Sequence, residues 1–194
     1  MPKSNTTWNW KVLLADDDPI FHKIGHAKLD GVVFDGHQIE TFNSDNYQSS
    51  CLFLKENPDT ALVVLDIHMD DASTGYKIID FVRNDLNNSE LRILIYTGDS
   101  HIESEESILD AYAISGYLSK LDTDPNQLLT KVKLALRSYS DIRKVKKLGQ
   151  TNSELEKEVA VHTRQLLDLS AKLQAEVIKR QQTEDELKPV SYTQ

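Results

Sequence analysis

The sequence predicts an α/β protein: a doubly wound, five-stranded parallel sheet followed by a long coiled-coil helix. Three observations predict it. Apolar runs of strand length alternate with longer segments of helical spacing, giving five β–α units in order. Two of the runs, "VVL" and "ILIY", are nearly continuous, as in parallel strands covered on both faces. Beyond about Ser138 the apolar spacing changes to a heptad.

Each element has its own signal. "KVLLA" makes Lys11–Ala15 the first strand, and Asp18-Pro19 caps a helix over Ile20–Leu29. Gln38–Phe42 is the second strand, with a helix over Asp45–Glu56. Leu62–Asp66 is the third, with a helix over Tyr76–Asn87. Arg92–Tyr96 is the fourth, with a helix over Glu103–Tyr112. Gly116–Leu118 is the fifth, and a last helix begins near Asn126. A globular domain over residues 10–140 therefore precedes a coiled-coil helix over 141–188, with tails at 1–9 and 189–194.

From Asp141 to Leu187 there is no proline and a single glycine, Gly149. Position a of the heptad reads Val145, Asn152, Val159, Leu166, Leu173, Arg180, Leu187, and position d reads Leu148, Leu155, His162, Leu169, Glu176, Thr183. The seam holds to Leu173 and decays beyond it, with Val177 marking a slip in register. β-Branched residues at a with leucine at d favour two parallel strands, and Asn152 at a would specify their register. The expectation is a homodimer through a parallel coil. The alternative is a solvated helix folded back on its own domain. Pro189 ends the helix in "KPVSYTQ".

Composition excludes several classes. No apolar run is of membrane-spanning length and no signal-peptide pattern opens the chain, so a cytoplasmic protein is expected. Cys51 is the one cysteine, which rules out an internal disulfide framework and suits a reducing compartment. Residues 1–140 carry 12 lysines and arginines against 22 aspartates and glutamates. Direct nucleic-acid binding needs clustered basic residues to neutralise phosphates, and "RKVKK" at 143–147 is too small to supply them.

The chemistry lies at the strand ends. In "VLLADDDPI" four apolar residues run into three aspartates, which makes sense if a buried strand delivers carboxylates to a cation. Ligands of open α/β sheets bind at the carboxyl ends of the strands. Asp16, Asp17 and Asp18 follow the first strand, Asp66 ends the third, Thr97 the fourth, and Lys120 follows the fifth. Such carboxylates suit Mg²⁺, an oxygen-seeking ion that binds through one or two of them plus phosphate oxygens and water. Asp66 could then act as nucleophile toward a phosphoryl group, with Lys120 and Thr97 contacting its oxygens.

The ordered set "LLADD", "VVLDIHM", "IYTGD" and "GYLSK" resembles the receiver domain of bacterial two-component response regulators, over roughly residues 10–140. The resemblance implies a flavodoxin-like sheet of strand order 2-1-3-4-5. It implies Asp66 as phosphoacceptor and Mg²⁺ held by Asp16, Asp17, Asp66 and a backbone carbonyl of the Ile67–His68 segment, assigned to His68. It further implies Thr97 as switch hydroxyl, Tyr117 as switch aromatic, Lys120 as phosphoryl partner, and a histidine kinase or phosphotransfer protein as donor. The sequence departs from the pattern where Met69-Asp70 replaces Met-Pro, where the loop to Gly75 is one residue longer, and where Leu121 replaces a proline. Asp70 and Asp71 would add negative charge near the site. This acidic variant of the motif resembles receivers that head cyclic-dinucleotide signalling enzymes, so the chain is either a receiver with a coil or the regulatory front of a longer enzyme.

Plainer readings stand beside these. Asp16 and Asp17 could simply cap a helix, Tyr117 could be a static core aromatic, and Cys51 packs as a small hydrophobe. His162 lacks the acidic neighbour of a phosphodonor histidine in "HTRQL". His22, His26, His37 and His101 show no metal-ligand spacing. An aspartate-nucleophile hydrolase is the enzymatic rival, but the position where such enzymes carry a second acid is His68.

Overall fold

The computed structural model describes residues 8–71, 73–98, 114–120 and 125–186. The chain divides into two compact units between Lys144 and Val145. In the first, β1 (Trp10–Ala15), β3 (His37–Ser44), β4 (Leu62–Leu65), β5 (Arg92–Thr97) and β6 (Gly116–Ser119) form parallel pairs. They lie side by side as β3-β1-β4-β5-β6. Among the described residues the sheet has six strands, not five. A two-residue strand, β2 (Val33–Phe34), pairs antiparallel with β3 at the edge. Its cause is the turn Asp35-Gly36, whose φ values of 49° and 81° are both left-handed, as a two-residue hairpin turn requires. Strand length alone misses a pair this short.

Sheet alternation sorts the core into two layers. Val12, Leu14, Leu62, Val64, Leu94 and Leu118 face one side, against Phe21 and Leu29 of α1 (Pro19–Leu29) and Leu128, Val132 and Leu136 of α4 (Pro125–Glu186). Leu13, Val63, Leu65, Ile93 and Ile95 face the other, against Leu54 of α2 (Tyr47–Glu56) and Ile78 and Ile79 of α3 (Thr74–Asp80). Covering both faces is why these strands read as unbroken apolar runs.

Helix starts follow cap chemistry. Asp18 Oδ1 accepts from the Ile20 amide at 2.8 Å with Pro19 in the first helical position. Asn46 and Ser49 form a reciprocal capping box at α2. The third helix differs from the sequence reading over Tyr76–Asn87. It begins at Thr74, and Phe81–Asp85 widens into a π-helical turn with Leu86 N–H donating to the Phe81 carbonyl at 2.9 Å. Asn87, at φ 47°, is left-handed and closes the segment. The helix expected over Glu103–Tyr112 lies outside the described residues.

The last helix, α4, is 62 residues long. In the second unit its apolar heptad positions Val145, Leu148, Leu155, Val159, Leu166, Leu169 and Leu173 are exposed, as are Asn152 and His162. Leu187 and the tail beyond it lie outside the described residues.

Candidate functional site

The site grows from the ends of the parallel strands. Where β1 stops, the Asp16 amide donates to the Ser44 carbonyl at 3.0 Å, and the Asp66 amide donates to the Ala15 carbonyl at 2.9 Å. These bonds extend the sheet ladder one residue past each strand, so both carboxylates stand on rigid backbone. The Lys120 amide is held likewise, by the Thr97 carbonyl at 2.8 Å.

Asp16, Asp17 and Asp66 each place one carboxylate oxygen within 4.8 Å of the others. Asp16 is fully buried and Asp17 is exposed. Lys120 binds two of the three: its Nζ lies 2.6 Å from Asp16 Oδ2 and 2.7 Å from Asp66 Oδ2. The same ammonium sits 5.5 Å from the centre of the Phe21 ring and 5.9 Å from that of Tyr96, two aromatic faces that favour a cation. Burial pushes the Asp16 carboxyl above its ordinary range, against the pull of Lys120. Burial works to lower the Lys120 pKa, but its pairing with the Asp16 and Asp66 carboxylates outweighs burial and leaves it raised. Lys120 is therefore a fixed positive charge at neutral pH, shared between two carboxylates that would otherwise repel.

The remaining Asp66 oxygen, Oδ1, accepts from the His68 amide at 3.2 Å. Thr97 ends β5 with no exposure. Tyr117 lies on β6 opposite Ile95 in the register and packs, half-buried, with the α2/α3 layer of the core. The structure thus brings Asp16, Asp17, Asp66 and Lys120 together, with Thr97 on the adjoining strand end. The heptad residues of α4 belong to the second unit, and His101 lies outside the described residues.

Asp70 and Asp71 are turned to other partners. Asp70 Oδ2 accepts from the Tyr47 amide at 3.1 Å, and Asp71 binds Lys77 Nζ at 2.7 Å and the Ser73 amide at 2.7 Å. These bonds hold the Asp71 carboxyl well below the usual carboxylate range. Asp70 caps α2 and Asp71 braces the loop into α3, rather than simply adding negative charge to the site. Burial raises the Cys51 thiol, consistent with a packing residue rather than a reactive one. Sequence reasoning missed the aromatic bed of Lys120. Tyr96 could have been found by strand alternation, since it must face the side opposite Thr97; nothing local marks Phe21.

An all-oxygen donor set suits a hard divalent cation. Asp16 Oδ2 is buried, and although paired with Lys120 it accepts no hydrogen bond of good geometry, so a cation could complete its coordination. The residues present therefore fit Mg²⁺.

No family model matches the chain. The 3′3′-cGAMP-specific phosphodiesterase 2 of Vibrio cholerae is 28% identical over 133 residues, 69% of this chain and 26% of that protein. A solved CheY-like response regulator receiver domain protein from Methanospirillum hungatei JF-1 superposes with a TM-score of 0.54 at 22% identity, covering 69% of this chain and 98% of that one. The BeF3-activated DrrB receiver domain gives a TM-score of 0.50 at 26% identity, covering 67% of this chain and 99% of that one. The globular unit has the fold of response-regulator receiver domains. Because β1 lies beside β4 in the sheet, Asp16 and Asp66 stand on adjacent strand ends. Among the described residues no helix is long and apolar enough to cross a membrane.

Proposed function

We propose that the receiver accepts a phosphoryl group on Asp66 from a histidine kinase or phosphotransfer protein, acting in the cytoplasm as a regulatory module rather than as an enzyme. The observation that carries this reading is the Lys120 ammonium bridging Asp16 and Asp66 at 2.6 and 2.7 Å on two rigid strand ends. Asp16, Asp17, Asp66 and the His68 carbonyl would hold Mg²⁺; the Ile67 carbonyl already accepts from the Gly75 amide at 3.0 Å. When bound, that ion supplies positive charge against the transferring phosphoryl oxygens. Asp66 supplies the attacking oxygen, and Lys120 is placed to move from the carboxylate to a phosphoryl oxygen. Thr97 would then hydrogen-bond another, drawing Tyr117 after it. Turnover separates this from a hydrolase. With acetyl phosphate and Mg²⁺ the chain should take up about one phosphoryl group, then release phosphate no faster than the adduct decays. Sustained cycling on small phosphate esters would identify a hydrolase instead.

The output arm is the heptad helix. We read its exposed seam (Val145, Leu148, Asn152, Leu155, Val159, His162, Leu166, Leu169, Leu173) as the dimer contact of a parallel two-stranded coil. Sedimentation should show a dimer of the full chain at tens of micromolar and a monomer for a version ending near Ser140. Asn152→Val should raise the melting temperature of the dimer while loosening its register; an antiparallel pairing would contradict the assignment. A second reading has one observation in its favour. The chain spans about a quarter of the length of its curated relative, a cGAMP-specific phosphodiesterase, so this receiver and coil could be the regulatory front of a longer cyclic-dinucleotide enzyme.

A further inference from the structure

The segment that links Asp66 to α3 carries the proposed carbonyl ligand and is anchored at several points. At its near end Ile67 is fully buried, and its carbonyl accepts from the Gly75 amide at 3.0 Å. Next along, the Asp70 carboxylate reaches away from the acidic cluster and accepts from the Tyr47 amide at 3.1 Å. Tyr47 is the first residue of α2, whose opening amides have no partner within the helix. Asn46 Oδ1 takes the Ser49 amide at 2.9 Å, and Asp70 takes that of Tyr47. Beyond Asp70, the Asp71 amide donates to Thr74 Oγ1 at 3.1 Å. His68 lies between the pins at Ile67 and Asp70.

We propose that Asp70 is a positioning residue: by bonding the first amide of α2 it fixes the strand-end loop so that the His68 carbonyl is presented to a divalent cation. The inference rests on the functional reading above. Its logic is geometric. Mg²⁺ requires near-octahedral ligands at about 2.0–2.1 Å, so a backbone ligand on a loose loop loses affinity through misplacement. In this sequence an acidic side chain stands where the family pattern has proline, and it ties the loop to a neighbouring helix by a side-chain bond. Asp70 is not one of the clustered carboxylates; its Oδ2 is taken by the Tyr47 amide.

A carboxylate could also act by charge alone, attracting Mg²⁺ from a distance, so the test separates position from charge. Asn keeps an acceptor oxygen but no charge, whereas Ala keeps neither. Calorimetric titration of the full chain with MgCl2 should give Asp70→Asn an affinity within about twofold of wild type. Asp70→Ala should be weaker by about tenfold, the scale on which loss of a supporting bond acts at metal sites. Amide exchange without metal provides an independent readout. In Asp70→Ala, but not Asp70→Asn, the Tyr47 amide and those of His68 and Met69 should exchange faster. Equal weakening of the two variants would assign Asp70 a charge role, and wild-type affinity in Asp70→Ala would make the bond irrelevant; either result overturns the inference while leaving the functional reading intact. Failure of the wild-type chain to bind Mg²⁺ would overturn both.

Discussion

An Asp17→Ala chain should keep its fold and lose at least about tenfold in Mg²⁺ affinity, the size of effect that follows loss of a group supporting a metal site. Of the three clustered carboxylates it is the exposed one, so replacing it opens no cavity. Surface substitutions of this kind usually stay within about 0.5 kcal/mol of wild type. Removing one of three adjacent negative charges also relieves repulsion in the metal-free chain. The variant should therefore melt at or slightly above wild type in EDTA. In millimolar Mg²⁺ it should melt below wild type, because the tighter wild-type site gains more stability from the ion. That reversal of order is the measurement to make, by thermal unfolding with and without the ion. Asp16→Ala would be a poorer probe. It removes a fully buried partner of Lys120, so fold and site would fail together.

Gly75→Ala should be among the most damaging single-methyl changes in the receiver. A Cβ at Gly75 would stand 2.6 Å from Ile67 Cα and 2.7 Å from the Asp66 carbonyl oxygen, both backbone atoms that no rotamer change can clear. Either the start of α3 or the strand end carrying Asp66 must shift. Overpacking of this kind costs about 1–3 kcal/mol. It should appear as a lower urea midpoint, together with slower phosphoryl uptake, since the clash bears on the Asp66 carbonyl. A contrasting position is Gly149, in the exposed part of α4, where an added Cβ would meet nothing within 4 Å. There alanine should stabilise the helix by roughly 0.5–1 kcal/mol, because glycine only adds unfolded-state entropy. Equal effects at the two glycines would contradict the close approach at Gly75.

Much of this was legible in the sequence, for physical reasons that differ by element. The parallel strands announce themselves because burial on both faces leaves no polar residue in "VVL". The strand ends follow, since the chain must turn polar where the sheet stops. Helix starts at Asp18 and Asn46 are written in short polar side chains that satisfy helix amides. What escaped were features made by long-range approach. β2 is two residues long, and only its Asp35-Gly36 turn marks it. The early start of α3 depends on how closely Gly75 passes Ile67, which no local pattern encodes. Asp70 and Asp71 looked like surplus charge because their partners, Tyr47 and Lys77, become visible only when helices are placed beside the loop. The cation–aromatic bed under Lys120 joins residues from α1, β5 and the end of β6 that are far apart in the chain. For the heptad the position is reversed: the periodicity is plain in the sequence, and its apolar positions are exposed on the helix.

The most direct test of the account is to locate the phosphoryl group. The full chain, incubated with acetyl phosphate and Mg²⁺ and digested after borohydride trapping of the acyl phosphate, should carry its label on the peptide containing Asp66. The label should be absent from Asp66→Asn and from wild type kept in EDTA. A label of equal yield in Asp66→Asn, or one that maps to another residue of the wild-type chain, would contradict the assignment of Asp66 as phosphoacceptor.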